Sequence, residues 1–394
     1  MTENATMRPL AARGLTRRSL IGLGTAVVVT LALLWSVRPA SAIDTVAREM
    51  ILVDATTGTV LAERNPDERM PPSSMSKLMT IYVVFELLRD GKIKLEDSFG
   101  VSEKAWRTGG SEMFLPIGGR ATVEELLKGI IIQSGNDACI VLAEAISGSE
   151  ESFAELLNKK GAEIGLKDSY FVNSSGWPDP SHYMTARDLA KLAYRLIHDF
   201  PQFYGMFAER EFTYNGIKQG NRNPLLYSFP GADGLKTGHT EDAGFGLTAS
   251  AVRDGRRLIL VTNGMASMKE RAQETERLLD LGFAEFRNFK LFSAGEAVFE
   301  MPVWLGVKDT VTAVAPADFV VTLPRNAGKD IAMRVVAPGP ALAPVAKNAP
   351  VAKLVITASD FGPIELNLMA GAPVDKVSGF GRIVPVAKRL FSGG

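Results

Sequence analysis

Cysteine is almost absent from this chain: Cys139 stands alone among 394 residues, so no intrachain disulfide can form. Histidine is nearly as scarce, with only His182, His198 and His239. None of the three lies in a G-x-S-x-G setting, so a serine nucleophile here would need a base of another kind. No His/Cys/Asp cluster has metal-ligand spacing and no glycine-rich stretch has the phosphate-cradling pattern; no metal and no cofactor is expected. An excess of charge is missing too. Lys and Arg total 44 and Asp and Glu total 44, which leaves no basic field for nucleic acid. Repeats of fixed period are lacking, and the only biased segment is an Ala/Pro stretch at 338–350.

The balanced total hides an uneven distribution. Residues 1–42 carry five arginines (Arg8, Arg13, Arg17, Arg18, Arg38) and one acid, Glu3, so 39 basic and 43 acidic residues remain beyond them. A basic start, an apolar run from Leu20 to Val37 and the small residues Ala40-Ser41-Ala42 make the pattern of a cleaved export signal over 1–42. The competing reading is an uncleaved anchor, because the run nearly reaches spanning length. The A-x-A ending favours cleavage. The mature protein is therefore expected to be exported, periplasmic or at the cell surface, with a core that must hold without staples.

Beyond the leader, "REMILVDATT" and "VLAERNPDERM" read as two strands around a turn at Gly58. From Ser73 to Asp90 the apolar residues recur at helical spacing (Leu78, Met79, Tyr82, Val83, Phe85). "TVEELLKGIIIQ" opens with Thr122 and Glu125 in capping-box register. Helices are also expected at "NDACIVLAEAI", "EESFAELLNKKGAEIG" and "TARDLAKLAYRLIHDF". Two strands follow, joined at Asp254-Gly255, and then a long helix through "MKERAQETERLLDLGFAEFRNF". The order predicts an α+β domain at 43–287, an antiparallel sheet flanked by helices with a helical block inserted. From 288 to 375, short β-rich runs between Pro and Gly turns ("TVTAVAP", "FVVTLP", "IAMRVVAP", "KLVITA", "IELNLMAG") predict a small all-β sandwich. The last segment, 376–394, would place Phe380, Ile383, Val384, Ala387 and Phe391 on one helical face, the pattern of a helix in a membrane interface. Gly381 and Pro385 argue instead for a frayed terminus.

Three stretches carry chemistry. In "SSMSK" a hydroxyl and an amine three residues apart, Ser74 and Lys77, share one helical face. Helical geometry alone permits Ser73, four residues before Lys77, as well. "SGN" (Ser134 to Asn136) lies between two expected helices, and "KTG" (Lys236 to Gly238) is expected to open a strand. Each is weak alone. Together, in this order, they are the S-x-x-K, S-x-N and K-T-G signature of penicillin-binding proteins and class A β-lactamases.

With "IIIQSGNDACIVLAE", "NSSGWPDPSHYMTARDLAKLA" and "DGLKTGHTEDAGFGLTASA" added, the sequence resembles the low-molecular-weight penicillin-binding proteins, serine-type D-alanyl-D-alanine carboxypeptidases. The likeness is strong over 45–287 and looser beyond. It implies a five-stranded sheet and the removal of a terminal D-alanine from peptidoglycan stem peptides through an acyl-serine. It also implies inhibition by β-lactams. It favours Ser74 over Ser73 as nucleophile. Lys77 is its candidate base, since burial and a second cation both favour the neutral amine. Lys236 is that second cation and a holder of the substrate carboxylate, helped by Thr237. Ser134 relays a proton and Asn136 holds a peptide carbonyl. Gly238 completes the third motif, and the N–H groups of Ser74 and His239 form the oxyanion hole.

Other residues have plainer readings. Ser73 and Ser76 are expected as cap and filler, with a hydrogen bond in the site as the alternative for Ser76. His182 and His198 read as packing or surface residues, and Cys139 as a small core residue. Trp177 and Tyr183 face either the cleft or the core. A class A β-lactamase would carry a glutamate between the second and third motifs, and "SSGWPDPSH" has none. Whether water or an amine intercepts the acyl-enzyme is left open, so endopeptidase action and a silent wall-binding scaffold remain as alternatives.

Overall fold

The computed structural model describes residues 3–6, 44–326, 332–358 and 361–378. The chain divides into two compact units, one of 41–284 and one of 285–394 together with 1–40.

In the first unit, Glu49–Asp54 (β1), Val60–Arg64 (β2), Ala232–Thr240 (β3), Gly244–Arg253 (β4) and Arg256–Met265 (β5) form one antiparallel sheet. Their order is β2-β1-β5-β4-β3, the five strands that the resemblance implies. The β4–β5 hairpin turns at Asp254 and Gly255, whose φ values of 51° and 75° are those a two-residue type I′ turn demands. The third motif does not open its strand as expected. β3 starts at Ala232, and Lys236 to Gly238 lie within it, on an edge strand of the sheet. β3 extends through the preceding "ADGL" because those residues pair with β4 from Ala251 onward.

The helix expected from Ser73 has two parts. Ser73–Ser76 is a tight 3₁₀ turn with no side-chain cap, and the α-helix runs from Lys77 to Arg89 (α1). Its apolar spacing suggests one buried face, yet all nine residues from Lys77 to Phe85 are buried. The helix threads the core, and its polar Lys77 and Thr80 are therefore interior groups that need partners. Phe85 meets Phe200, Phe203 and Phe207 at centroid distances of 5.7, 5.3 and 6.3 Å.

The capping box forms as its spacing predicts, with Thr122 Oγ1 accepting from Glu125 N and Glu125 accepting from Thr122 N. The helix it starts, Val123–Lys128 (α2), widens into a π turn at Gly129–Gln133 and stops at Ser134. Asn136–Ser147 (α3), Glu150–Glu163 (α4) and Ala186–Asp199 (α5) follow. The closing helix, Met268–Glu285 (α6), is shorter than the sequence suggests. Phe286–Phe292 instead forms a strand, β6, because Phe289, Leu291 and Phe292 pack into the core of the second unit.

That unit is all-β. Ala297–Trp304 (β7), Thr310–Val314 (β8), Phe319–Pro324 (β9), Ala332–Ala337 (β10), Ala341–Leu342 (β11), Pro350–Ala358 (β12) and Phe361–Ala370 (β13) follow β6. A seven-stranded sheet has the order Glu3–Thr6, β10, β12, β13, β8, β7, β11, while β6 pairs with β9. Met301, Val311, Val321, Leu323, Leu354 and Leu368 lie in one buried cluster shared by both sheets. Strands β6, β7 and β11 escape the sequence reading; Pro302 and Glu300 break the apolar run of β7. The expected leader beyond Thr6 and the expected tail helix beyond Ser378 lie outside the described residues. Among the described residues, no helix is long and apolar enough to cross a membrane.

Candidate active site

Lys77 begins α1 and is fully buried. Its Nζ lies 2.8 Å from Ser74 Oγ and donates to the Ser175 carbonyl at 2.6 Å. Ser73 Oγ is instead 3.3 Å from Thr240 Oγ1, so the turn directs Ser74, not Ser73, at the amine. Ser73 is no cap; it takes a φ of 50°, a conformation that costs a non-glycine residue about 1–3 kcal/mol. Ser76 Oγ is buried without a partner and makes no hydrogen bond in the site.

A second hydroxyl–amine pair forms from distant parts of the chain. Lys236 Nζ donates to Ser134 Oγ at 2.9 Å and to the Thr237 carbonyl at 3.1 Å. Ser134, at the end of the π turn, has a φ of 64°, and both partners are buried. Asn136, two residues on, donates from Nδ2 to the Gly109 carbonyl at 3.0 Å.

Burial sets the protonation of both amines. It pushes the Lys77 ammonium down to about 8, with the Arg222 guanidinium adding to the effect and Cys139 and Asp137 opposing it. Burial likewise holds Lys236 well below the usual lysine range, with Lys77, Arg222 and Arg271 as repelling cations. A neutral amine is therefore within reach near neutral pH, which a base for a serine hydroxyl requires.

β3 must approach the Ser73–Ser76 turn closely, and Gly238 permits it. A Cβ there would sit 2.9 Å from the Pro72 carbonyl and 3.1 Å from Met75 Cγ. Thr237 is buried beside it, whereas the His239 ring is exposed and stacks on Phe245 at 3.8 Å. His182 is packed against Phe171, and burial pushes its imidazole down to about 4. His198 is exposed and stacks on Tyr194. Cys139 is a buried core residue whose thiol is pushed up to about 12 by burial.

This arrangement can deliver a serine alkoxide equivalent beside a second hydroxyl that accepts from a buried amine. The family description D-alanyl-D-alanine carboxypeptidase matches residues 36–267, more than half of the chain. The chain belongs to that family. The description penicillin-binding protein 5, C-terminal domain, matches 286–376. The D-alanyl-D-alanine carboxypeptidase DacA of Haemophilus influenzae is 37% identical over 356 residues, 88% of this chain and 91% of that protein. The crystal structure of penicillin binding protein 5 from Haemophilus influenzae superposes with a TM-score of 0.78 at 37% identity, covering 85% of this chain and 99% of that one. Penicillin-binding protein D2 from Listeria monocytogenes, in its ampicillin-bound form, gives a TM-score of 0.54 at 27% identity over 61% of this chain and 98% of its own.

Several family-site neighbours carry no motif of their own. Asn173 Oδ1 accepts from the N–H groups of Ser175, Gly176 and Trp177, and so shapes the loop whose carbonyl meets Lys77. Gly176, at φ +75°, packs so close to the Ser73–Ser76 turn that a Cβ would lie 2.0 Å from the Ser73 carbonyl oxygen. The buried Asp137 carboxylate accepts from Met113 N and Leu115 N at 3.0–3.1 Å and fixes that loop beside Asn136. Arg222 donates to Ser111 Oγ at 2.5 Å, and Ser111 in turn accepts from Asn136 N through its carbonyl. The "DA" after "SGN" and the glycine of "SSGW" were the available signals. Of the two aromatic residues left open, Trp177 is 49% exposed and Tyr183 stacks on Tyr170 under the Arg69 guanidinium.

Proposed function

We propose that the protein is a serine-type D-Ala-D-Ala carboxypeptidase in which Ser74 is the nucleophile, Lys77 its base and Ser134 the proton relay. The observation that carries this reading is the buried 2.8 Å contact between Lys77 Nζ and Ser74 Oγ. Neutral Lys77 takes the Ser74 proton as Oγ attacks the carbonyl between the two D-alanines. The first N–H groups of a helical turn have no acceptor within it, so Ser74 N, with His239 N from β3, is available to the oxyanion. Ser134, polarised by Lys236, passes a proton to the departing amine, and free D-alanine leaves. Lys236 and Thr237 hold the substrate carboxylate, Gly238 lets the strand close on it, and Asn136 holds the carbonyl on the acyl side. Water then releases the shortened stem peptide. No cofactor and no metal takes part, and β-lactams act as inhibitors by acylating Ser74.

The substrate places the enzyme outside the cytoplasm, in peptidoglycan biosynthesis and cell-shape maintenance, which agrees with a cleaved leader at 1–42. The tail 376–394 is read as a peripheral membrane contact; deleting 376–394 should move the protein from the membrane fraction, and unchanged partition would count against it. A β-lactamase reading is disfavoured because Lys77 faces the Ser175 carbonyl, and Glu150, the carboxylate beside Ser174, is committed to Ser174 N, Ser174 Oγ and Lys104. The decisive experiment incubates the purified protein and a Ser74→Ala copy with a peptide ending in D-Ala-D-Ala and measures free D-alanine. Release by the native protein alone supports the reading. Equal release by both overturns it.

A further inference from the structure

A half-exposed aromatic side chain on an ordered loop beside a reactive centre can serve as a contact surface for a ligand. Trp177 is such a case. The residue is 49% exposed, although its backbone is fixed at both ends. Asn173 Oδ1 accepts from Trp177 N at 3.1 Å, and Asn173 Nδ2 donates to the Trp177 carbonyl at 2.9 Å. Its neighbour Gly176 abuts the Ser73 carbonyl, and Ser175 binds Lys77, so the loop is built onto the nucleophile turn itself. The position of the indole is equally defined. A Cβ at Gly110 would lie 2.9 Å from Trp177 Cζ3 and 2.9 Å from Asn136 Nδ2, so those two atoms are no more than twice that distance apart.

We infer that Trp177 is a specificity-determining residue whose indole covers the aliphatic side chain of the residue that precedes D-Ala-D-Ala in the substrate. This inference rests on the carboxypeptidase reading, which sets Asn136 against the carbonyl on the acyl side of the cleaved bond. A group this near Asn136 is within reach of the next residue toward the substrate N-terminus. Indole offers a flat apolar face for methylenes, and the same face accepts a cationic tip at the end of a longer chain. Because the loop is already ordered, docking there immobilises little of the protein. Glycine at that substrate position has nothing to place on the indole; a norleucyl or lysyl side chain does.

The test compares acetyl-glycyl-D-Ala-D-Ala with acetyl-norleucyl-D-Ala-D-Ala on the full protein and on Trp177→Ala and Trp177→Phe. Trp177→Ala should lose roughly tenfold more kcat/KM on the norleucyl peptide than on the glycyl one, mostly through KM, as an aromatic contact of ordinary strength would. Trp177→Phe should recover most of that difference. An equal loss on both peptides, or no loss on either, overturns the inference. A second measurement does not need turnover: in the Ser74→Ala background, the norleucyl peptide should change tryptophan emission, and adding Trp177→Phe should abolish the change. If the native protein released D-alanine from neither peptide, the carboxypeptidase reading would fall. The emission titration would still decide this inference, in its favour if the norleucyl signal depends on Trp177 and against it if not.

Discussion

The amine of Lys77 is held between two oxygens, the Ser175 carbonyl at 2.6 Å and the Ser74 hydroxyl at 2.8 Å. The carbonyl can only accept, so it engages one N–H, and the neutral amine keeps a lone pair that can turn to Ser74. A backbone atom of a loop thus orients the amine toward a side chain one helical turn away.

The first prediction concerns pH. With the Lys77 ammonium pushed down to about 8, acylation of Ser74 by a fluorescent penicillin should rise tenfold per pH unit below that value and level off above it. Lys77→Arg, which cannot give up its proton, should slow acylation about a thousandfold at pH 8. A rate independent of pH between 6 and 8 would show that Lys77 is not the base.

Stability should follow the same group with a definite sign. Lys77 binds its proton less readily folded than unfolded, since its value falls from 10.5 to about 8. The unfolded chain therefore holds more protons between those values, and native stability rises with pH across that window. Below about pH 8 the buried amine opposes folding by on the order of 3 kcal/mol. The melting temperature of Lys77→Met should thus compare most favourably with native protein at pH 7, and the advantage should shrink toward pH 10. A constant difference would contradict the burial argument.

Ser73→Ala and Ser74→Ala should differ sharply. Among the described residues, Ser73 Oγ meets Thr240 alone, at a long 3.3 Å, so its loss should change penicillin labelling by less than tenfold. Ser74→Ala should abolish labelling.

Gly176→Ala should be among the most damaging single changes. The new Cβ would fall 2.0 Å from the Ser73 carbonyl oxygen at a φ of +75°, so either the loop or the nucleophile turn must move. A stability loss of at least about 2 kcal/mol and a large drop in labelling are expected. Unchanged thermal melting would mean the two segments are not in contact.

Asp137→Asn keeps the shape but removes the charge that accepts from Met113 and Leu115. The loop beside Asn136 should loosen, costing about 1–3 kcal/mol and raising KM more than it lowers kcat. Kinetics with an unchanged KM would count against that anchoring role.

Legibility in the sequence tracked the range of the interaction. The capping box of Thr122 and Glu125 and the Asp254-Gly255 turn are contacts within four residues, and both form as read. The helix-to-strand change at Phe286 is not legible, because a phenylalanine-rich segment suits either period until its partner strand is known. The role of Asn173, which organises three N–H groups of the loop, has no sequence signal at all beyond the turn-forming character of asparagine.

By itself, the sequence narrowed the partner of Lys77 to Ser73 or Ser74, because residues three and four apart on a helical segment share one face, and the family pattern favours Ser74. It also determined the order of the three motifs and hence the chemistry they can share. Only the tertiary structure brought Ser134 and Lys236, 102 residues apart, to 2.9 Å. It alone took the two amines out of water, set Arg222 near them and left Trp177 standing beside Asn136. Burial and through-space charge depend on every element packed around a group, and no local spacing encodes them.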